Sequence, residues 1–133
     1  METFVSRVST SSGAVGQAPA CVLVEVPFRE LGCAAAPWEE RVGLRRLCHE
    51  YDVPRHMDGA RLLNAVVATN TSAEAYAAPC NSLWIDLSKG LGCPVGAVLA
   101  GSADFIHRAR RFKHQFGGAM RQACLLYTSD AAD

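Results

Sequence analysis

The 133-residue sequence has no excess of either charge: 13 Lys plus Arg stand against 13 Asp plus Glu. A chain without a net field has no long-range pull on polyanions or acidic membrane surfaces, so neither partner is expected. It also lacks any apolar run near the roughly 18 residues of a membrane-spanning helix. Residues 1–17 show no charged start followed by an apolar block, and a cytoplasmic product is the expectation. The six cysteines, Cys21, Cys33, Cys48, Cys80, Cys93 and Cys124, include no CxxC pair. That spacing argues against a zinc site, a redox motif or a compact disulfide framework, and the thiols are expected to be reduced, with four in apolar or Ala-rich stretches where a cysteine packs as a small hydrophobe.

What is present is an ordinary globular composition, with 50% apolar and 20% charged residues, in a length that suits one domain or part of a larger one. Residues 1–19 are rich in Ser, Thr, Gly and Ala and read as a weakly structured lead-in. The run ACVLVEV at residues 20–26, closed by Pro27, predicts a buried strand. Pro37 at the first helical position and the acidic Glu39 and Glu40 predict a helix with Leu44, Leu47, Cys48 and Tyr51 on its apolar face. VPRHMD at residues 53–58 reads as a strand that delivers Asp58 at its end, followed by short helices over residues 60–68 and 72–78. SLWID (82–86) and GAVLA (96–100) read as two more strands, separated by the turn-rich KGLGCP. Ser102 caps a last helix carrying Phe105, Ala109, Phe112 and Phe116, which stops at Gly117 and Gly118. Strands alternating with helices predict an α/β fold with a mostly parallel sheet, whose ligands gather beyond the carboxyl ends of the strands.

Two residues with chemistry follow such strand ends, Asp58 and Lys89. Lys89 lies among glycines that let backbone approach a bulky ligand, and its desolvation is expected to free the amine for a Schiff base with a carbonyl. A lysine in a glycine turn is ordinarily a solvated charge. Asp58 alters that reading, because a carboxylate in the same layer is what a pyridinium nitrogen needs. His56 shares the strand face of Asp58 and is expected to be a satisfied structural histidine.

Three ordered segments then carry a family resemblance: HMDGARL at residues 56–62, LSKGLGCPVG at 87–96 and GGAMRQ at 117–122. They resemble the signature segments of threonine aldolases and related β-eliminating lyases, across about residues 20–123. Two positions depart from the usual form, with Asp86 where Cys is frequent and GGAMRQ in place of GGGMRQ.

The resemblance implies the central part of the large α/β/α domain of a fold-type I enzyme using pyridoxal 5'-phosphate. It implies Lys89 as the catalytic lysine that carries the cofactor, Asp58 as partner of the ring nitrogen, Arg61 near the phenolic oxygen, and Ser88 at the phosphate. Arg121 is implied as the cation for the substrate carboxylate, and no metal is implied. The expected reaction of the parent protein is cleavage of a β-hydroxy amino acid, threonine to glycine and acetaldehyde, in a homo-oligomer. A β-elimination on the same cofactor is the alternative. A non-catalytic fragment binding nucleic acid through Arg108, Arg110, Arg111, Lys113 and His114 is a weaker one, given the zero net charge. The family's N-terminal phosphate loop, ring-stacking His and small domain are not recognised in the sequence, so the chain made as written is expected to be inactive. Residues 124–133 resemble the translation of a sequencing adaptor and are expected to be foreign to the fold.

Overall fold

The computed structural model describes residues 19–119. Four strands form one sheet in the order β1 (Val22–Glu25), β2 (Arg55–Asp58), β3 (Ser82–Asp86) and β4 (Ala97–Gly101). Between them lie α1 (Trp38–Glu50), α2 (Leu62–Thr69) and α3 (Ala73–Ala77). A further helix, α4 (Ala103–Gln115), belongs to a second compact unit that begins at Ser102.

β1, β2 and β3 are mutually parallel, as the alternation of strands and helices predicts. β4 is not: it runs antiparallel to β3, from Ser82 opposite Gly101 to Asp86 opposite Ala97. The sheet is thus mostly parallel, as expected, and the connection explains the one reversed strand. Residues 87–96 contain no helix and fold back through short-range bonds, Cys93 N–H to the Leu87 carbonyl at 2.9 Å and Leu87 N–H to the Gly96 carbonyl at 3.0 Å. A parallel return needs a longer crossover, usually helical.

The period of two along β1 separates its faces, with Val22 and Val24 buried and Leu23 61% exposed. The buried face joins Met57, Leu44, Cys48, Leu62, Ala65 and Tyr76 in one apolar cluster. Leu44 and Cys48 of α1 face this core as the helical spacing predicts, but Tyr51 is 63% exposed. It lies beyond the last helical residue, at the C-cap, where the 3.6-residue period no longer sets its direction. Pro37 is likewise the N-cap rather than the first helical residue, and its carbonyl accepts the Arg41 N–H at 3.2 Å. β2 starts at Arg55, two residues later than the sequence suggests. Of the cysteines, Cys48 is buried and Cys80 half-buried, but Cys21, Cys33 and Cys93 are exposed, so packing does not explain those three. Cys124 lies outside the described residues.

Arg55 is the buried charge of the sheet, at 9% exposure, and burial pushes its guanidinium below the ordinary value. Its backbone N–H is held by the Asn81 side chain at 2.9 Å.

Gly59 makes the junction between β2 and the next helix possible. Its N–H donates to the Trp84 carbonyl at 2.9 Å, and a Cβ there would stand 2.7 Å from that same oxygen. The obstacle is backbone and cannot rotate away. Gly59→Ala in the full-length gene product should therefore destabilise the fold by about 1–3 kcal/mol, the range for overpacking. Urea unfolding reads this, and an unchanged midpoint would disprove the tight junction.

In the second unit, Ser102 caps α4 as expected, its Oγ accepting the Phe105 N–H at 3.2 Å. Phe112 and Phe116 stack with ring centroids 6.2 Å apart but are 55% and 84% exposed, so the predicted apolar stripe is not buried along that part of its length. Among the expected basic residues, Arg108 is paired with Asp104 at 3.0 Å, one helical turn away.

Candidate functional site

The site grows out of the carboxyl ends of β2 and β3. Asp58 is the last residue of β2, and its Cα partner across the parallel pair is Trp84. Paired residues project to the same side of a sheet, so Asp58 and Trp84 are neighbours on one face. Asp86, two residues along β3, returns to that face. The Asp58 Oδ1 accepts the Ala60 N–H at 3.0 Å, which fixes the carboxylate against the turn that follows.

His56 lies on the same face, one step down the strand. Its Nδ1 is 2.7 Å from the Ser82 Oγ, which supports the structural role expected for it. Burial pushes the imidazole below its usual value, against an opposing pull from the Asp58 carboxylate.

Past the end of β3, the chain turns sharply at Ser88. The Asp86 Oδ1 accepts the Ser88 backbone N–H at 2.8 Å and its hydroxyl at 2.6 Å. The Asp86 Oδ2 pairs with the Lys89 Nζ at 3.0 Å. The same ammonium lies 5.4 Å from the centre of the Trp84 ring, a cation held over an aromatic face. Lys89 thus reaches back over the strand that neighbours Asp58. It is not desolvated as the sequence suggests: 38% of its side chain is exposed and it is ion-paired. The glycines around it keep the turn open and contribute no side chain to cover it.

Arg61 is the N-cap residue of α2 and is half-buried. It lines a solvent-open depression of about 190 Å³ with Asn64, Ile85, Asp86, Gly90 and Leu91. A Cβ on Gly90 would stand 2.6 Å from the Asn64 Oδ1, so this wall is formed by close approach of the turn to α2. The structure therefore brings Asp58, Arg61, Ser88 and Lys89 to one edge of the sheet. Arg121 lies outside the described residues.

Sequence reasoning missed Asp86 and Trp84 as members of this edge. Asp86 had a readable signal, because an Asp two residues before Ser is a common side-chain-to-backbone turn. Trp84 was legible only as a strand residue; its place under Lys89 depends on the path of the turn.

The Asp86 carboxylate is held down from an ordinary 3.8 to about 2, first by the Ser88 hydroxyl, then by hydrogen bonding to Lys89, then by the Ser88 N–H. A carboxylate depressed on folding adds stability that is fully present above the unfolded value and is lost as pH falls through the folded one. The turn should accordingly hold above pH 4 and loosen as pH falls towards about 2. Carboxyl-carbon NMR on the full-length product checks this, and Ser88→Ala should move the Asp86 midpoint upward. An ordinary midpoint in the unmodified protein would remove the turn's electrostatic basis.

The donor types fit pyridoxal phosphate: a primary amine, a strand-end carboxylate on the neighbouring strand, a hydroxyl and a guanidinium lie beyond the carboxyl ends of β2 and β3. Lys89 would take its aldehyde and Asp58 its ring nitrogen, with Ser88 and Arg61 at its oxygens. Among the described residues, no helix is long and apolar enough to cross a membrane.

Known proteins share both sequence and fold with this chain. It is 46% identical over 90 residues to a low-specificity L-threonine aldolase of Candida albicans, covering 68% of this chain and 24% of that protein. It is 47% identical over 77 residues to the low specificity L-threonine aldolase of Escherichia coli K12, covering 58% and 23%. A solved L-allo-threonine aldolase candidate from Listeria monocytogenes superposes with a TM-score of 0.76 at 32% identity, over 85% of this chain and 30% of that one. A candidate aromatic amino acid β-eliminating lyase/threonine aldolase from Exiguobacterium gives 0.75 at 35% identity, over 82% and 31%. The chain spans about a quarter of the length of the curated relatives it matches. The model of the family described as beta-eliminating lyase matches residues 3–130, and with the strand-end lysine and carboxylate in place, the chain belongs to that family.

Proposed function

We propose that the gene product carrying this segment is a pyridoxal-phosphate-dependent carbon–carbon lyase that cleaves β-hydroxy amino acids, threonine to glycine and acetaldehyde. The observation that carries this reading is Lys89 folded over Trp84, the strand neighbour of Asp58. When bound, pyridoxal phosphate supplies an aldehyde that condenses with amines and a protonated ring that withdraws electrons.

The chain's own residues would prepare that chemistry. Asp58 holds a proton at the ring nitrogen, oriented by its bond to the Ala60 N–H. Lys89 provides the amine for covalent attachment, and Ser88 offers a hydroxyl to the phosphate. Arg61 lines the adjoining depression, where its charge suits the phenolic oxygen. Arg121 is assigned to the substrate carboxylate on its sequence segment alone, because a planar guanidinium binds a carboxylate with paired hydrogen bonds. A cytoplasmic homo-oligomer is part of the same proposal.

The matching family description also favours a second reading, loss of a β-substituent in place of aldehyde release. The uninterrupted genomic reading frame around this segment should be expressed and given threonine, allo-threonine and a β-chloro amino acid. Acetaldehyde and glycine from the first two support the lyase reading. Chloride, ammonia and a keto acid from the third, with no aldehyde from the others, would replace it with elimination.

A further inference from the structure

We infer that Asp86 is a positioning residue of this site, a carboxylate that holds its two reactive neighbours, Ser88 and Lys89, in one arrangement. The inference rests on the reading that Lys89 is the amine which takes the carbonyl. The geometry divides the carboxylate between them. Oδ1 accepts the hydroxyl and N–H of Ser88 at 2.6 and 2.8 Å, and Oδ2 pairs with the Lys89 Nζ at 3.0 Å. The Asp86 side chain is only 13% exposed, which makes it the fixed member of the group, while the Lys89 side chain is 38% exposed.

A lysine has a long, flexible stem, and at the head of a glycine-rich turn it has many directions to take. The pairing with Asp86 selects the one that lays the ammonium over Trp84, on the side of Asp58. The same contact has a cost. Before Lys89 can attack a carbonyl, it must leave the ion pair and release a proton to solvent. The neutral amine then adds to the aldehyde carbon, and the carbonyl oxygen departs as water. Asp86 therefore orders Lys89 and restrains it, and the Ser88 hydroxyl, donating to the same carboxylate, must likewise turn away before it can donate to a phosphate.

The test uses pyridoxal, which lacks the phosphate, with borohydride to deliver hydride to the new C=N bond, on the full-length product freed of cofactor. Peptide mass spectrometry reads the initial rate of label at Lys89, with Lys113, the other lysine of this segment, as internal reference. Asp86→Asn keeps an acceptor for Ser88 but removes the charge facing Lys89. Its labelling at low salt should be about two- to fivefold faster than wild type, the worth of a partly exposed ion pair. Added salt should speed the wild type and leave Asp86→Asn unchanged. Asp86→Glu should restore the salt response, and Ser88→Ala should keep it.

Equal, salt-independent labelling of Lys89 in wild type and Asp86→Asn would overturn the positioning role while leaving Lys89 as the reactive amine. Label absent from Lys89 in every variant would overturn the reading beneath it, and this inference with it.

Discussion

Lys89→Ala in the full-length gene product should lower threonine cleavage at least about a thousandfold, the scale on which loss of a covalent nucleophile is felt. In the unmodified protein, borohydride should fix added pyridoxal phosphate on Lys89. The expectation rests on place more than on residue type. Lys89 follows the carboxyl end of β3, pairs with Asp86 and lies over Trp84, beside the strand that ends in Asp58. Lys113 sits in the last turn of α4 with His114, on a helix and not after a strand. Label recovered on Lys113, or on a lysine outside this segment, would end the assignment.

Asp58→Asn should keep some cofactor but lose about two to three orders of magnitude in turnover, since a neutral amide cannot hold the ring-nitrogen proton that makes the cofactor an electron sink. The amide oxygen of Asn can still accept the Ala60 N–H that Asp58 now accepts at 3.0 Å, so the turn after β2 should survive. That separates two roles in one experiment. Turnover should fall while the unfolding free energy read from urea stays within about 0.5 kcal/mol of wild type, the usual range away from core and network changes. Near-normal turnover would mean that Asp58 serves only to secure the following turn.

Much of the frame was legible in the sequence because its signals are local. The valines of β1, the helical spacing of Leu44 and Cys48, and the Ser102 cap each depend on neighbours within a turn or two. The same holds for Asp58 and Lys89 at strand ends, which their segments identify without reference to distant chain. Burial was harder to read. Tyr51 carries an apolar ring at the right spacing, yet lies past the helix end, and Cys93 is exposed in a turn rich in small residues. Arg55 shows the reverse, a charge that looks solvated in the sequence and is drawn into the sheet by its register beside Val22.

The sequence by itself determined that strands and helices alternate and that an amine and a carboxylate stand at strand ends, because periodicity, caps and turn residues act over a few positions. Only the tertiary structure decided that β4 runs antiparallel, that the Leu23 face is open at its edge, and that Lys89 is paired with Asp86 over Trp84. Those outcomes depend on strand register and on where a long, flexible side chain comes to rest after the chain has turned back on itself, and neither is encoded at any one position.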